Sequence, residues 1–279
     1  MGSTQENPHI CIEWHPIRQF LSYPGYGFAL IILNQPISDE GFFRDLWRRA
    51  ETRVAADGGA NWVYDLNRKS LTELSPASFA GNYVNLNTII GDLDSISDEC
   101  RKFFSTKPAD CTIIHEVDDY STDFAKAVKF VRKEFPKRDI VCMGGLGGRV
   151  DQGLSQLHHL YLFQTSPIYA DGRMYLVSGE SLSFLLKAGK HRIHVREPDA
   201  VIGDSVRMSG EPFAKWVGII PIKEASVITT KGLEWDVEDW LTEFGGRMST
   251  SNHLLPKTTV VEVETTKDVL FTIALKQET

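Results

Sequence analysis

Five short runs in the first half of the chain are apolar without alternation: GFALIIL (27–33), TRVAADG (52–58), NTIIGDLD (87–94), CTIIHEV (111–117) and RDIVCMGG (138–145). An alternating run suits a strand with one wet face, whereas a continuous run needs cover on both faces. The stretches between them can supply that cover. Phe42, Phe43, Leu46 and Trp47 recur at helical spacing, as do Phe124, Ala127, Val128 and Val131 after a cap at Ser121 or Thr122, and Pro136 closes the second helix. This strand, helix, strand order predicts an α/β fold with a Rossmann-like, mainly parallel sheet and helices on both faces.

After Gln164 the pattern changes to short β-rich runs: YLVSG, SFLLK, HRIHV, VIGDSV, WVGIIPI, ASVITT and TVVEVET. They predict an all-β sandwich domain. The chain therefore divides into an N-terminal extension at 1–26, partly draped on the first domain, an α/β domain at 27–166 and a β-sandwich at 167–279, with a boundary near Ser166-Pro167. A net charge of −7 argues against a nucleic-acid surface, though not against phosphate held through a metal. Cys11, Cys100, Cys111 and Cys142 lack the close pairing of zinc or redox motifs, which predicts reduced thiols and cytoplasmic residence. No apolar run is long enough to predict a membrane span.

In parallel sheets ligands sit at the carboxyl ends of the strands, where three polar segments of this chain fall. Asp92 and Asp94 are separated by one residue at a strand end, so both carboxylates can reach one hard cation. Asp94-Ser95 equally suits a cap for a helix starting near Ile96, and Asp98 and Glu99 belong to that helix start. Asp123 lies at a helix start, where the dipole favours a carboxylate. Lys126 in the same turn gains nothing from the dipole and would profit from a bound anion.

GGLGGRVDQ (144–152) combines Gly147 and Gly148, which allow close backbone approach, with Arg149, whose planar fork matches phosphate oxygens. ADGGAN (56–61) places Asp57 before Gly58 and Gly59 at another strand end, a pattern that an ordinary Asp-Gly turn also produces. His158 and His159 are adjacent on a helix and point to different faces, and His191 and His194 match no ligand spacing. Trp216, Trp235 and Trp240 suit a core or an interface, and one of them can stack on a flat ligand.

Taken in order, VAADGGAN, IIGDLDSIS, YSTDFAKAV, GGLGGRVDQ, TTKGLEWDVEDW and MSTSN resemble the thiamine pyrophosphokinase family, especially its fungal branch, along nearly the whole chain from Ala29. The resemblance implies ATP as co-substrate, Mg²⁺, a homodimer with active sites between subunits, and transfer of the terminal diphosphate of ATP to the hydroxyethyl group of thiamine, releasing AMP. It also implies site roles. Asp57, Asp92, Asp94 and Asp123 would be the metal and phosphate carboxylates, with Asp92, Asp94 and Asp123 as metal ligands. Lys126, Arg149 and Asp151 would act at the phosphate end, with Gly58, Gly59, Asn61, Gly147 and Gly148 around the nucleotide. Trp235, Ser249, Ser251 and Asn252 would bind thiamine and reach a partner subunit's nucleotide domain.

Charge neutralisation and in-line positioning suffice for attack of a primary hydroxyl on phosphorus, and either Asp57 or Asp94 would accept the proton. The thiazolium cation suits an aromatic face such as Trp235. Two departures from the family pattern stand out: Asp119 replaces a common Gln, and Gln152 stands where bacterial members carry His. Two other readings predict different chemistry. A haloacid-dehalogenase-like phosphatase would use Asp92 as nucleophile, but that family wants its Asp-x-Asp on the first strand and Thr or Val where Ile96 stands. A non-catalytic nucleotide- or thiamine-sensing module would bind both ligands without turnover.

Overall fold

The computed structural model describes residues 11–20, 27–72, 83–106, 110–118, 120–164, 169–197 and 212–276. The chain forms two compact units, one of Tyr26–Gly179 and the other joining Met1–Gly25 to Glu180–Thr279. The described part of the N-terminal segment, strand β1 (Cys11–Trp14) and helix α1 (Pro16–Phe20), belongs to the latter.

In the Tyr26–Gly179 unit the apolar runs form β2 (Ala29–Ile32), β3 (Thr52–Ala56), β4 (Thr88–Gly91), β5 (Thr112–His115), β6 (Ile140–Met143) and β7 (Met174–Val177). Their order is β7-β6-β2-β3-β4-β5, and neighbours pair in parallel. Central β2 is fully covered: Leu30, Ile31 and Ile32 are each 0% exposed, and each contributes roughly 2 kcal/mol through burial. The run around Tyr175, expected to open the β-sandwich, instead extends the parallel sheet. Composition cannot tell a parallel from an antiparallel apolar strand, but the preceding helix supplies the crossover that a parallel pair requires.

Helices α2 (Glu40–Arg49), α3 (Gly59–Thr72), α4 (Asp98–Phe104), α5 (Asp123–Glu134) and α6 (Val150–Phe163) fill the connections. Caps define their starts. Asp39 accepts from Phe42 N–H at 2.8 Å, Ser97 from Cys100 N–H at 3.2 Å, and Thr122 from Ala125 N–H at 3.1 Å. Because Ser97 caps α4, the helix begins later than expected from Ser95, and residues 94–96 form a loop at the strand edge. Helix α5 packs on β2, β3 and β4, while α3 packs on β3 and α4.

The other unit contains β8 (Ser181–Leu186), β9 (Gly189–His194), β10 (Phe213–Ile220), β11 (Ser226–Lys231), β12 (Trp240–Thr242), β13 (Ser249–His253), β14 (Val260–Thr265) and β15 (Val269–Leu275). A 5-stranded sheet runs β1-β9-β14-β11-β12, and the remaining strands follow the order β13-β10-β15-β8. Trp14 on the first layer stacks on Phe184 of the second at 4.5 Å. The N-terminal segment, expected against the first domain, therefore belongs to this β unit: β1 pairs in parallel with β9, and Trp14 is 0% exposed. Polar contacts fix it further, since His15 Nδ1 lies 2.7 Å from Glu197 and His194 Nε2 lies 2.7 Å from Glu13. The boundary expected near Ser166-Pro167, the run VIGDSV and Asp119 lie outside the described residues.

Candidate active site

All the strands of the Tyr26–Gly179 sheet run the same way, so the loops after β2, β3, β4 and β6 and the start of α5 meet along one edge. Asp57 follows β3 with a φ of 40°. That left-handed backbone is uncommon for a non-glycine residue, although Asp tolerates it better than most. The carboxyl group is nearly buried, and its two oxygens accept from Ser95 N–H at 3.0 Å and Ile96 N–H at 3.2 Å. Burial pushes its pKa up to about 6; the charges of Asp123, Asp92 and Asp94 add to the rise, and the Ser95 hydrogen bond opposes it.

Asp92 and Asp94 leave β4 through Leu93, whose φ is 62°. The turn brings oxygens of Asp57, Asp92 and Asp94 within 4.8 Å of one another. Asp94 accepts the Ser95 hydroxyl at 2.8 Å, and that bond holds its carboxyl below the usual range. Asp123 has a different geometry. Its Oδ1 accepts from Asp92 N–H at 3.2 Å and from Lys126 Nζ at 3.1 Å. The three carboxylates close enough to share one cation are thus Asp57, Asp92 and Asp94, where the expected ligand set was Asp92, Asp94 and Asp123.

Lys126 is only 1% exposed. Burial alone would lower its ammonium pKa, but the hydrogen bond and charge of Asp123, with the charge of Asp92, outweigh that and hold it above the ordinary lysine value. Gly91 makes this packing possible. A Cβ there would stand 2.7 Å from Asp57 Cβ and 2.9 Å from Asp123 Oδ1, so this glycine spaces two carboxylates rather than making room for a ligand.

A cleft of about 410 Å³ runs from this cluster toward α6, lined by Gln35, Asp57, Gly58, Asp123, Arg149 and Gln152, among others. Arg149 is exposed and pairs with Asp151 at 2.5 Å. Gly148 has a φ of 68°, and a Cβ there would lie 2.7 Å from the Gln35 amide, so Gln35 covers the glycine loop. Gly147 also faces Gln35, at 3.8 Å from its Cβ position. Gly59 lies so close to Ile32 that a Cβ would stand 2.3 Å from its carbonyl oxygen. Asn61 does not line the cleft. It ties α3 to the loop after β4, donating to Ser95 O at 2.8 Å and accepting from Ser97 N–H at 3.0 Å. Asn34 and Gln35, both beside the cleft, are invisible to motif reasoning because Asn-Gln-Pro after a strand reads as an ordinary turn.

In the β unit, Trp235 is 55% exposed. Buried Asn252 holds its backbone, accepting from Trp235 N–H at 3.2 Å and donating to Trp235 O at 2.9 Å, so Asn252 is committed to shaping this loop. Asp236, unnoticed in the sequence, also shapes it, accepting from Gly232 N–H at 2.9 Å and Leu233 N–H at 3.1 Å. The His253 ring packs 4.8 Å from Trp235 and 4.4 Å from Trp216. Ser249 and exposed Ser251 lie on the same strand as Asn252. Buried His159 bonds Thr122 Oγ1 at 2.9 Å, consistent with a core-edge role.

Comparison with known proteins yields one family. Residues 43–170 match the thiamin pyrophosphokinase catalytic domain, and residues 190–270 match the thiamin pyrophosphokinase vitamin B1 binding domain. Thiamine pyrophosphokinase 3 of Oryza sativa subsp. japonica is 33% identical, covering 90% of this chain and 88% of the relative. Thiamine pyrophosphokinase 2 of Arabidopsis thaliana is 34% identical, covering 91% and 88%. Among solved structures, yeast thiamin pyrophosphokinase superposes with a TM-score of 0.77 at 24% identity, covering 99% of this chain and 94% of that one.

Proposed function

The chain belongs to the thiamin pyrophosphokinase family and is an ATP-dependent thiamine diphosphokinase, and from that premise we propose how its residues carry the reaction. One observation carries the proposal: the Asp57, Asp92 and Asp94 oxygens converge within 4.8 Å beside Lys126 and the Arg149 cleft. An all-oxygen set of this kind fits a hard divalent cation, Mg²⁺ in a cell. Asp57, Asp92 and Asp94 would hold it, and it would supply positive charge to the diphosphate being transferred.

The chain's own groups do the rest. Asp123 fixes the Asp92 backbone and aims Lys126 at the phosphates. Arg149 offers its fork to the phosphates across the cleft, restrained by Asp151. Either Asp57 or Asp94 would accept the thiamine hydroxyl proton. Trp235 stacks on the thiamine rings with Ser249 and Ser251 alongside, while Asn252 positions the tryptophan. The Tyr26–Gly179 unit and the β unit divide these roles between nucleotide and thiamine, and the protein acts in the cytoplasm. Four cysteines without motif pairing support that location, and among the described residues no helix is long and apolar enough to cross a membrane.

The cation site is testable without turnover. Asp57 binds its proton more tightly folded than unfolded, so its contribution to stability is present below the unfolded value of 3.8 and is lost as pH rises through about 6. That difference is on the order of 3 kcal/mol, comparable to what a well-bound cation returns. Mn²⁺ or Mg²⁺ should therefore raise the thermal midpoint strongly at pH 7.5 and little at pH 5, with affinity falling about tenfold per pH unit below 6. A midpoint shift independent of pH would contradict the assignment of Asp57 to the site.

We further propose a homodimer in which Trp235 of one subunit serves Asp92 of its partner. Asp92→Asn and Trp235→Ala chains, each inactive alone, should recover about a quarter of wild-type activity when co-expressed, because random pairing gives each mixed dimer one intact site. Absence of recovery in isolated mixed dimers would place both residues in one chain's site.

A further inference from the structure

In the β unit, residues along β1 and β9 alternate between the two faces of the 5-stranded sheet. The parallel register sets Glu13 beside Arg192 and Trp14 beside Ile193, and Trp14 and Ile193 are both buried in the core. Glu13, Arg192 and His194 therefore share the outer face, where His15, just beyond β1, stacks on His194 with ring centres 3.9 Å apart. Ligand atoms of Glu13, His15 and His194 thereby lie within 4.8 Å of one another, and all three residues are half-buried. His194 Nε2 is 2.7 Å from Glu13 Oε2, and the other Glu13 oxygen accepts from Arg192 at 3.0 Å. Behind His15 stands buried Glu197, whose Oε1 is 2.7 Å from His15 Nδ1 and 2.9 Å from Arg18 Nε. A carboxylate on Nδ1 holds the proton there and leaves the lone pair on Nε2, the arrangement that supports metal-binding histidines.

We propose that Glu13, His15 and His194 bind a zinc ion that ties the N-terminal segment to β9. Two imidazoles and one carboxylate suit a borderline cation with water in the fourth position, whereas the all-oxygen Asp57, Asp92 and Asp94 cluster suits Mg²⁺. The required movement is small. Tetrahedral zinc places neighbouring ligand atoms roughly 3.4 Å apart, between the 2.7 Å contact of His194 with Glu13 and the 4.8 Å span of the set. Tilting the two rings out of their stack lets both nitrogens face one point, and the ion takes the place of the proton between His194 and Glu13. The local charge accommodates it, since the carboxylates of Glu13, Glu197 and Glu262 outnumber the guanidinium groups of Arg18 and Arg192 that pair with them. Ligand spacing along the chain hides this set, because Glu13 and His194 stand 181 residues apart and only the pairing of β1 with β9 joins them.

Zn²⁺ titrated calorimetrically into the full chain, with excess Mg²⁺ present to fill the carboxylate cluster, should bind with micromolar affinity. At about a hundredfold excess over the dissociation constant it should raise the thermal midpoint by roughly 5 °C or more. Asp92→Asn should bind zinc as wild type does, while Glu13→Gln and His194→Gln should each bind it at least about tenfold more weakly. Both of these variants should keep wild-type turnover with Mg²⁺. Crystals of wild type soaked in Zn²⁺ give a reading that does not depend on how the variants fold: anomalous scattering at the zinc edge should place the ion between Glu13, His15 and His194. Unchanged zinc affinity in His194→Gln, or affinity lost in Asp92→Asn, would overturn the inference. So would an anomalous peak elsewhere with none at this site, or wild type that takes up zinc only at millimolar concentration.

Discussion

Replacing Asp92 with asparagine is expected to lower kcat roughly 10³-fold, on the scale seen when preorganised charge is removed from a phosphoryl-transfer site. The fold should survive. The Asp92 side chain is 47% exposed, and the bond that anchors the residue runs from its backbone N–H to Asp123, which asparagine preserves. Removing one negative charge also relieves the repulsion that helps raise Asp57. The thermal midpoint without cation should therefore stay within a few degrees of wild type or rise, while the cation-induced shift shrinks. Activity within tenfold of wild type would mean that Asp92 does not hold the cation.

Lys126→Met is expected to damage both activity and stability. Methionine fills much the same volume, but Asp123 loses its 3.1 Å bond and Asp92 loses the ammonium 4.0 Å away. Leaving a hydrogen-bonded charge without its partner costs about 1–3 kcal/mol, which urea denaturation would register as a lower midpoint at unchanged slope. The kcat should fall roughly 10²–10³-fold, because the ammonium proposed to meet the phosphates is gone. Saturating Mg²⁺ should return part of the stability but not the activity. Full activity in Lys126→Met would reduce Lys126 to a structural counter-ion for Asp123.

The sheet was legible because a strand buried on both faces must be continuously apolar, as β2, β3, β4 and β6 are covered throughout, whereas β5, expected to be buried as well, is an edge strand with Thr112 and His115 exposed. Thr122 as the cap of α5 was likewise readable from local chemistry. Strand partners were not. The four residues Cys11–Trp14 are too few to establish a period and so give little signal, and the segment's place beside β9 depends on where Trp14 can be buried. The placement of β7 depends on the direction of pairing, which composition does not encode.

The candidate site was legible as residue types at strand ends but not as a division of labour. Asp57, Asp92, Asp94 and Asp123 look alike in sequence. Backbone geometry separates them: a φ of 62° at Leu93 turns Asp94 back toward Asp57, while the helical spacing of Asp123 and Lys126 draws Asp123 into an ion pair. Asn252, which looked like a ligand contact, is occupied by the Trp235 backbone. Gln35 emerged only in three dimensions, as the cover of a glycine loop more than a hundred residues away along the chain.

In the proposed mechanism three strand-edge carboxylates and a buried lysine drive transfer of an intact diphosphate. The measurement closest to it is product identity by phosphorus-31 NMR, with purified protein, ATP, Mg²⁺ and thiamine, run in parallel on wild type and Asp92→Asn. Wild type should give AMP and thiamine diphosphate in equal amounts, and Asp92→Asn neither. ADP with thiamine monophosphate, or the same products from both proteins, would contradict it.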